Sequence, residues 1–194
     1  MINPLYEEFP ESIKVDGEEY GILTDFREWI RFSDMLGDND LTDEEKLYLL
    51  TNWLTETPRK ITAELVNAVF AFYRADALNP DPVENGNEDD REEESQPKRP
   101  PVFNWKYDAK FLIGDFLRFY GIDLLSAEMH WWEFRCLFAA LPDESQCRKR
   151  IDIRSTDLSK IKDKERRNRI AAAQRQIALP FEFDDDDIAA FFEG

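Results

Sequence analysis

The stretch from Tyr120 to Leu141, YGIDLLSAEMHWWEFRCLFAAL, constrains the fold of this chain more than any other. Its apolar residues follow helical spacing on two adjoining stripes. Leu125, Met129, Trp132 and Cys136 step by four, three and four, and Trp131, Phe134, Phe138 and Leu141 by three, four and three. Gly121 breaks what precedes it, Ser126 offers a capping oxygen, and Glu128 suits the positive end of the helix dipole. Only a narrow strip with His130, Glu133 and Arg135 is left for solvent. Fully burying each large side chain contributes roughly 1.5–3 kcal/mol, so a helix this apolar needs neighbours on several sides. The expected fold is mainly α: a helical bundle, with this segment at its centre, an N-terminal β-hairpin and a disordered acidic linker.

The hairpin is expected at SIKVDGEEYGIL, residues 12–23. Asp16-Gly17 is a favoured pair for a two-residue type I′ turn, and that register places Ile13, Val15, Tyr20 and Ile22 on one face. Three helices follow. Thr24 or Asp25 starts the first, with Glu28 completing a capping box, and Gly37 ends it. Thr42 with Glu45 opens the second, which Pro58 closes. Thr62 caps the third, where Leu65, Val66, Val69, Phe70 and Tyr73 recur at helical spacing. Residues 1–78 thus form an N-terminal part of one hairpin and three helices.

Between Asp81 and Pro100 the composition changes to 8 acidic and 3 basic residues with almost nothing apolar. Such a segment cannot bury enough surface to offset the entropy of ordering it, so 79–101 reads as a Pro-rich disordered linker. Residues 102–154 read as a central helical core: a helix through AKFLIGDFLRFYG after Asp108, the segment described above, and a short helix from Pro142-Asp143 through Ile151. Ser155 or Thr156 is expected to cap one long basic helix over 155–179, stopped by Pro180. The ending, 180–194, is an acidic and aromatic tail with four aspartates at Asp184–Asp187.

Composition narrows the function. The net charge of −17 repels nucleic acid and anionic membrane at long range. No apolar run approaches the roughly 20 residues needed to span a bilayer, and the first residues lack the basic and apolar regions of a signal peptide. A cytosolic protein with two reduced, separate cysteines is expected. No catalytic, cofactor or metal residues are assigned. There is one histidine, no glycine-rich phosphate loop, and the calcium-loop spacing at 38–49 fails with Asp43 where glycine is needed and Leu49 where glutamate is needed. The sharper alternative is nucleic-acid binding through residues 148–175, since 11 basic against 4 acidic residues lie between Gln146 and Arg175. Their distribution around the helix favours an internal or protein-facing role instead.

Three separated blocks together resemble the bacteriophage Gp-fifteen family of tail-region proteins. They are VDGEEYGILTDFREWIRFSDML (15–36), YGIDLLSAEMHWWEFRCLFAAL (120–141) and IDIRSTDLSKIKDKE (151–165). Ile122-Asp123-Leu124 and His130-Trp131-Trp132 are the most specific part. The resemblance implies a non-enzymatic tail assembly chaperone that binds the tape-measure protein and keeps it soluble while the tail is built. It would act in the bacterial host cytoplasm and be absent from the mature virion. A structural tail component retained in the virion is the further alternative. Coating one long client implies a homo-oligomer. Trp29, Phe32 and Trp132 are the expected contact residues for the client, although each also fits a core position.

Overall fold

A computed structural model describes residues 2–78 and 101–180. Apart from Pro101 and Pro180, the acidic linker and the C-terminal tail lie outside the described residues. Among the described residues, two antiparallel strands, β1 (Ser12–Val15) and β2 (Glu18–Gly21), precede seven α-helices. These are α1 (Phe26–Leu36), α2 (Asp43–Leu49), α3 (Ala63–Arg74), α4 (Trp105–Tyr120), α5 (Trp131–Ala139), α6 (Gln146–Ser155) and α7 (Lys164–Ile177). The described residues are mainly helical with an N-terminal hairpin.

They divide into two units. One holds residues 2–78 together with 128–139, and the other holds 101–127 with 140–180. The central core expected over 102–154 is therefore split: α5 belongs with the hairpin and α1–α3. A helix reads locally as apolar spacing, but which unit receives it depends on partners far away in the chain.

In the first unit, Asp16 and Gly17 have φ of 52° and 82°, the positive pair a type I′ turn demands. Ile13 pairs with Tyr20, and Ile13, Val15 and Ile22 are buried on one face. The chain then passes Gly21 close to Thr55, whose amide donates to the Gly21 carbonyl at 2.9 Å. A Cβ on Gly21 would lie 2.3 Å from Thr55 Oγ1. Asp25 caps α1 by accepting from the Arg27 amide. Thr42 and Glu45 form the expected capping box on α2, which runs into a 3-10 turn at Leu50–Trp53. Thr62 caps α3, which ends at Ala75 in a left-handed conformation (φ 56°, ψ 42°).

The segment before α5 departs from expectation. The helix starts at Trp131, not after Ser126, because residues ahead of it are extended along the start of α1. Asp25 and His130 bridge antiparallel, the Trp131 amide donates to the Thr24 carbonyl at 2.7 Å, and the Phe26 amide donates to Met129. Pairing between segments outcompetes the local cap. Leu125, placed on an apolar stripe by spacing alone, is 73% exposed.

In the second unit, Asn104 caps α4 through the amides of Lys106 and Tyr107, four residues ahead of the expected start. Gly121 ends α4 with a φ of 70°. Asp108, Leu112, Asp115 and Phe116 form its buried face. Ser145 caps α6, which continues to Ser155, beyond the expected end at Ile151. The long basic helix is two pieces. Asp157 caps a 3-10 turn at Leu158–Lys160, and Asp163 caps α7. Each aspartate satisfies amides that a continuous helix would bond internally, and so breaks it.

Candidate functional site

Trp29, Phe32 and Trp132 do not form a contact surface. They are 0%, 0% and 3% exposed, in the aromatic core of the first unit. Trp29 lies against Phe72 at 5.0 Å between ring centroids, Phe32 against Trp53 at 5.0 Å, and Trp132 against Phe72 at 5.2 Å. Tyr73 and Trp131 stack at 5.7 Å with rings 3° apart. Large aromatics at helical spacing bury the most apolar area available to a domain this size, which is why the core takes them.

The His130-Trp131-Trp132 cluster has a defined task in that core. The last carbonyls of α3 have no partner within the helix. Trp132 Nε1 donates to the Phe72 carbonyl at 2.7 Å, and Trp131 Nε1 donates to Tyr73 at 2.8 Å. Arg135 also donates to the Tyr73 carbonyl, at 2.7 Å. His130 is half-buried rather than set on a solvent strip. Its ring stacks on Phe9 at 4.9 Å, its Nδ1 accepts from the Trp132 amide at 3.0 Å, and its Nε2 lies 3.1 Å from the Pro10 carbonyl. That arrangement requires the proton on Nε2. Burial lowers the pKa of His130, against smaller upward effects from Pro10, Glu11 and Glu133.

The second unit is built on two buried carboxylates. Asp108, 1% exposed, pairs with Arg154 at 2.6 and 2.9 Å, and Arg154 also donates to the carbonyls of Ile177 and Val102. One guanidinium thus ties α4, α6 and the end of α7. Asp115 accepts from the Gln146 and Cys147 amides at 2.9 and 2.8 Å, capping α6 from another helix. Sequence reasoning missed both. The only local signal was an aspartate on the apolar face of α4 at each position, one turn either side of Leu112. Both thiols are free; that of buried Cys147 is pushed up to about 12 by burial and by the neighbouring Asp115 charge. Among the described residues, no group of three or more His, Cys, Asp or Glu side chains is placed to hold a metal ion. None of the described helices is long and apolar enough to cross a membrane.

A groove lies beside Arg154. This groove of about 680 Å³ has a mixed lining that includes apolar Val102, Leu158 and Leu179 beside polar Asp157, Gln174 and Arg175. Helix α7 forms one wall. Its half-buried residues Ile170, Ala173, Gln174 and Ile177 recur at helical spacing, and Gln174 donates to the Ile153 and Thr156 carbonyls at 2.8 Å. Every residue from Lys162 to Arg169 is exposed. Residues 101–127 and 140–180 carry 14 Lys and Arg against 9 Asp and Glu, a net +5 in a chain of net −17. Residues 2–78 and 128–139 carry 8 against 19. The charge is therefore strongly partitioned.

These features describe a mainly helical protein with an aromatic-cored acidic unit and a cationic unit bearing an open groove. The chain belongs to the bacteriophage Gp15 protein family, whose model matches residues 5–179. All three blocks that carried the resemblance fall within that match. No curated protein and no solved structure matches the chain.

Proposed function

We propose that this phage protein is a non-enzymatic tail assembly chaperone that binds the tape-measure protein and keeps it soluble until the tail tube forms around it. The observation that carries the reading is the groove of about 680 Å³ in the cationic unit, partly apolar and lined at the C-terminal end of α7 by Gln174 and Arg175. Helix-in-groove recognition is the mode such a surface supports for a long helical client. The contact surface moves accordingly from Trp29, Phe32 and Trp132 to the rim residues Leu158, Gln174 and Arg175. The net charge of −17 would hold a loaded complex in solution. Several copies along one client, in the host cytoplasm and lost before the virion matures, complete the proposal.

Co-expression with a tape-measure protein from the same phage tests it. The expected outcome is a soluble complex whose mass corresponds to several copies per client. A client that stays insoluble, with no complex formed, overturns the proposal. Recovery of the chain in purified virions would favour a structural tail component.

The exposed cations from Lys162 to Arg169 favour one second reading, a nucleic-acid-binding regulator. Phosphate contacts release counterions, so that reading requires DNA affinity that falls steeply with salt.

A further inference from the structure

We propose that the groove of the cationic unit receives the C-terminal segment of the same chain, residues 181–194, so that the tail covers this surface when nothing else does. Three observations converge on that occupant. Ala178 and Leu179 are themselves part of the groove lining, so the segment FEFDDDDIAAFFEG begins at its rim. Its composition is complementary. It carries six acidic residues and no basic one, against a unit of net +5 with Lys160, Arg175 and the Lys162–Arg169 stretch exposed. Its four phenylalanines and Ile188 match the apolar lining residues Val102, Leu158 and Leu179.

Reach is sufficient. Fourteen residues follow Pro180. An extended chain spans about 3.3 Å per residue, whereas a 14-residue helix rises about 1.5 Å per residue. The segment can therefore return along the whole of α7. A tethered ligand also binds at an effective concentration in the millimolar range, so weak contacts suffice. The family match ends at residue 179, just before this segment. Anything that uses the groove must displace it, and an acidic or aromatic competitor does so best. This inference rests on the groove and its charges alone, and stands or falls separately from the client proposed above.

The test uses the full chain, free of any partner. Chymotrypsin cleavage after Phe181, Phe183, Phe191 and Phe192 is timed in the wild type, in a variant with Asp184–Asp187 changed to Asn, and in a Lys160→Glu/Arg175→Glu variant. Docking predicts cleavage at least tenfold slower in the wild type than in either variant, with the protection lost in high salt. Zero-length carbodiimide coupling then maps the contact. Links from the tail carboxylates to Lys160, Lys162 or Lys164 should form within one chain, at a yield independent of protein concentration. Equal cleavage rates in all three proteins overturn the proposal. So do links found only in covalent dimers, which would assign the groove to a neighbouring copy's tail.

Discussion

Trp132 donates its indole N–H to the carbonyl of Phe72, 60 residues earlier in the chain, at 2.7 Å. With Trp131 and Arg135 on Tyr73, it closes the C-terminal end of α3 using side chains from α5. Trp132→Phe keeps much of the ring burial and removes the donor. It should destabilise the first unit by about 1–3 kcal/mol, the usual cost of leaving a buried polar group without its partner. The midpoint of urea unfolding followed by far-UV circular dichroism checks this. An unchanged midpoint would show that the Ala75 amide, which also reaches Phe72 at 3.0 Å, satisfies that carbonyl alone.

The Asp108–Arg154 pair lies in the second unit with side chains 1% and 7% exposed. Removing one partner strands the other charge. Asp108→Ala should cost about 3–5 kcal/mol. The double variant Asp108→Leu/Arg154→Met should cost less than its two single changes added together, because no charge is left buried. A double-mutant cycle by denaturant unfolding measures the coupling, and strict additivity would refute it.

His130 makes the first unit sensitive to acid. Its folded pKa is depressed by burial, so the unfolded chain takes up the proton first as pH falls through about 6.5. The stability contribution is complete above that pH and declines below it. Protonating Nδ1 would also set a proton against the Trp132 amide, 3.0 Å away. Comparing unfolding midpoints at pH 8 and pH 5 for the wild type and His130→Asn isolates the effect. The same drop in both proteins would mean that His130 does not cause it.

Gly21 faces Thr55 too closely for a side chain. Gly21→Ala forces strand or loop to move and should destabilise by about 1–3 kcal/mol. Thr55→Ala removes the atom that a Cβ would meet at 2.3 Å, and in the double variant it should restore most of the loss. Thermal melts of the four proteins decide it; a double variant no more stable than Gly21→Ala would place the clash elsewhere.

The two thiols should react unequally. Cys136 is exposed, whereas Cys147 is buried with its pKa pushed up to about 12, so almost none of it is thiolate near neutral pH. Iodoacetamide should modify Cys136 alone in the native protein and both after denaturation. Mass spectrometry of the peptides reads this directly, and native labelling of Cys147 would contradict its burial.

Several elements specified by neighbours in sequence were legible. Asp16-Gly17 specifies the hairpin turn, and the Thr42–Glu45 and Thr62 caps specify where α2 and α3 begin. The start of α5 was not, because the extended pairing of His130 with Asp25 overrides the cap at Ser126. In α7 the signal was present but outweighed. Asp157 and Asp163 both cap, and the basic, helix-favouring run around them concealed it. The candidate site was the least legible part. Trp29, Phe32 and Trp132 carry the residue types of an interface and of a core alike, and only packing separates the two. Beside the groove, Arg154 bonds the carbonyls of Val102 and Ile177, 52 and 23 residues away in the chain, a contact no local pattern encodes.

The insertion of α5 into the first unit has a consequence for synthesis. Domains usually fold in order as the chain leaves the ribosome, but here residues 2–78 emerge with the carbonyls of Phe72 and Tyr73 still waiting for Trp131 and Trp132. The N-terminal aromatic set cannot close until translation has passed residue 139, by which time α4 of the other unit has already been made. A chain ended before Trp131 lacks the tryptophans whose indoles bond the end of α3, and its aromatic set stays open.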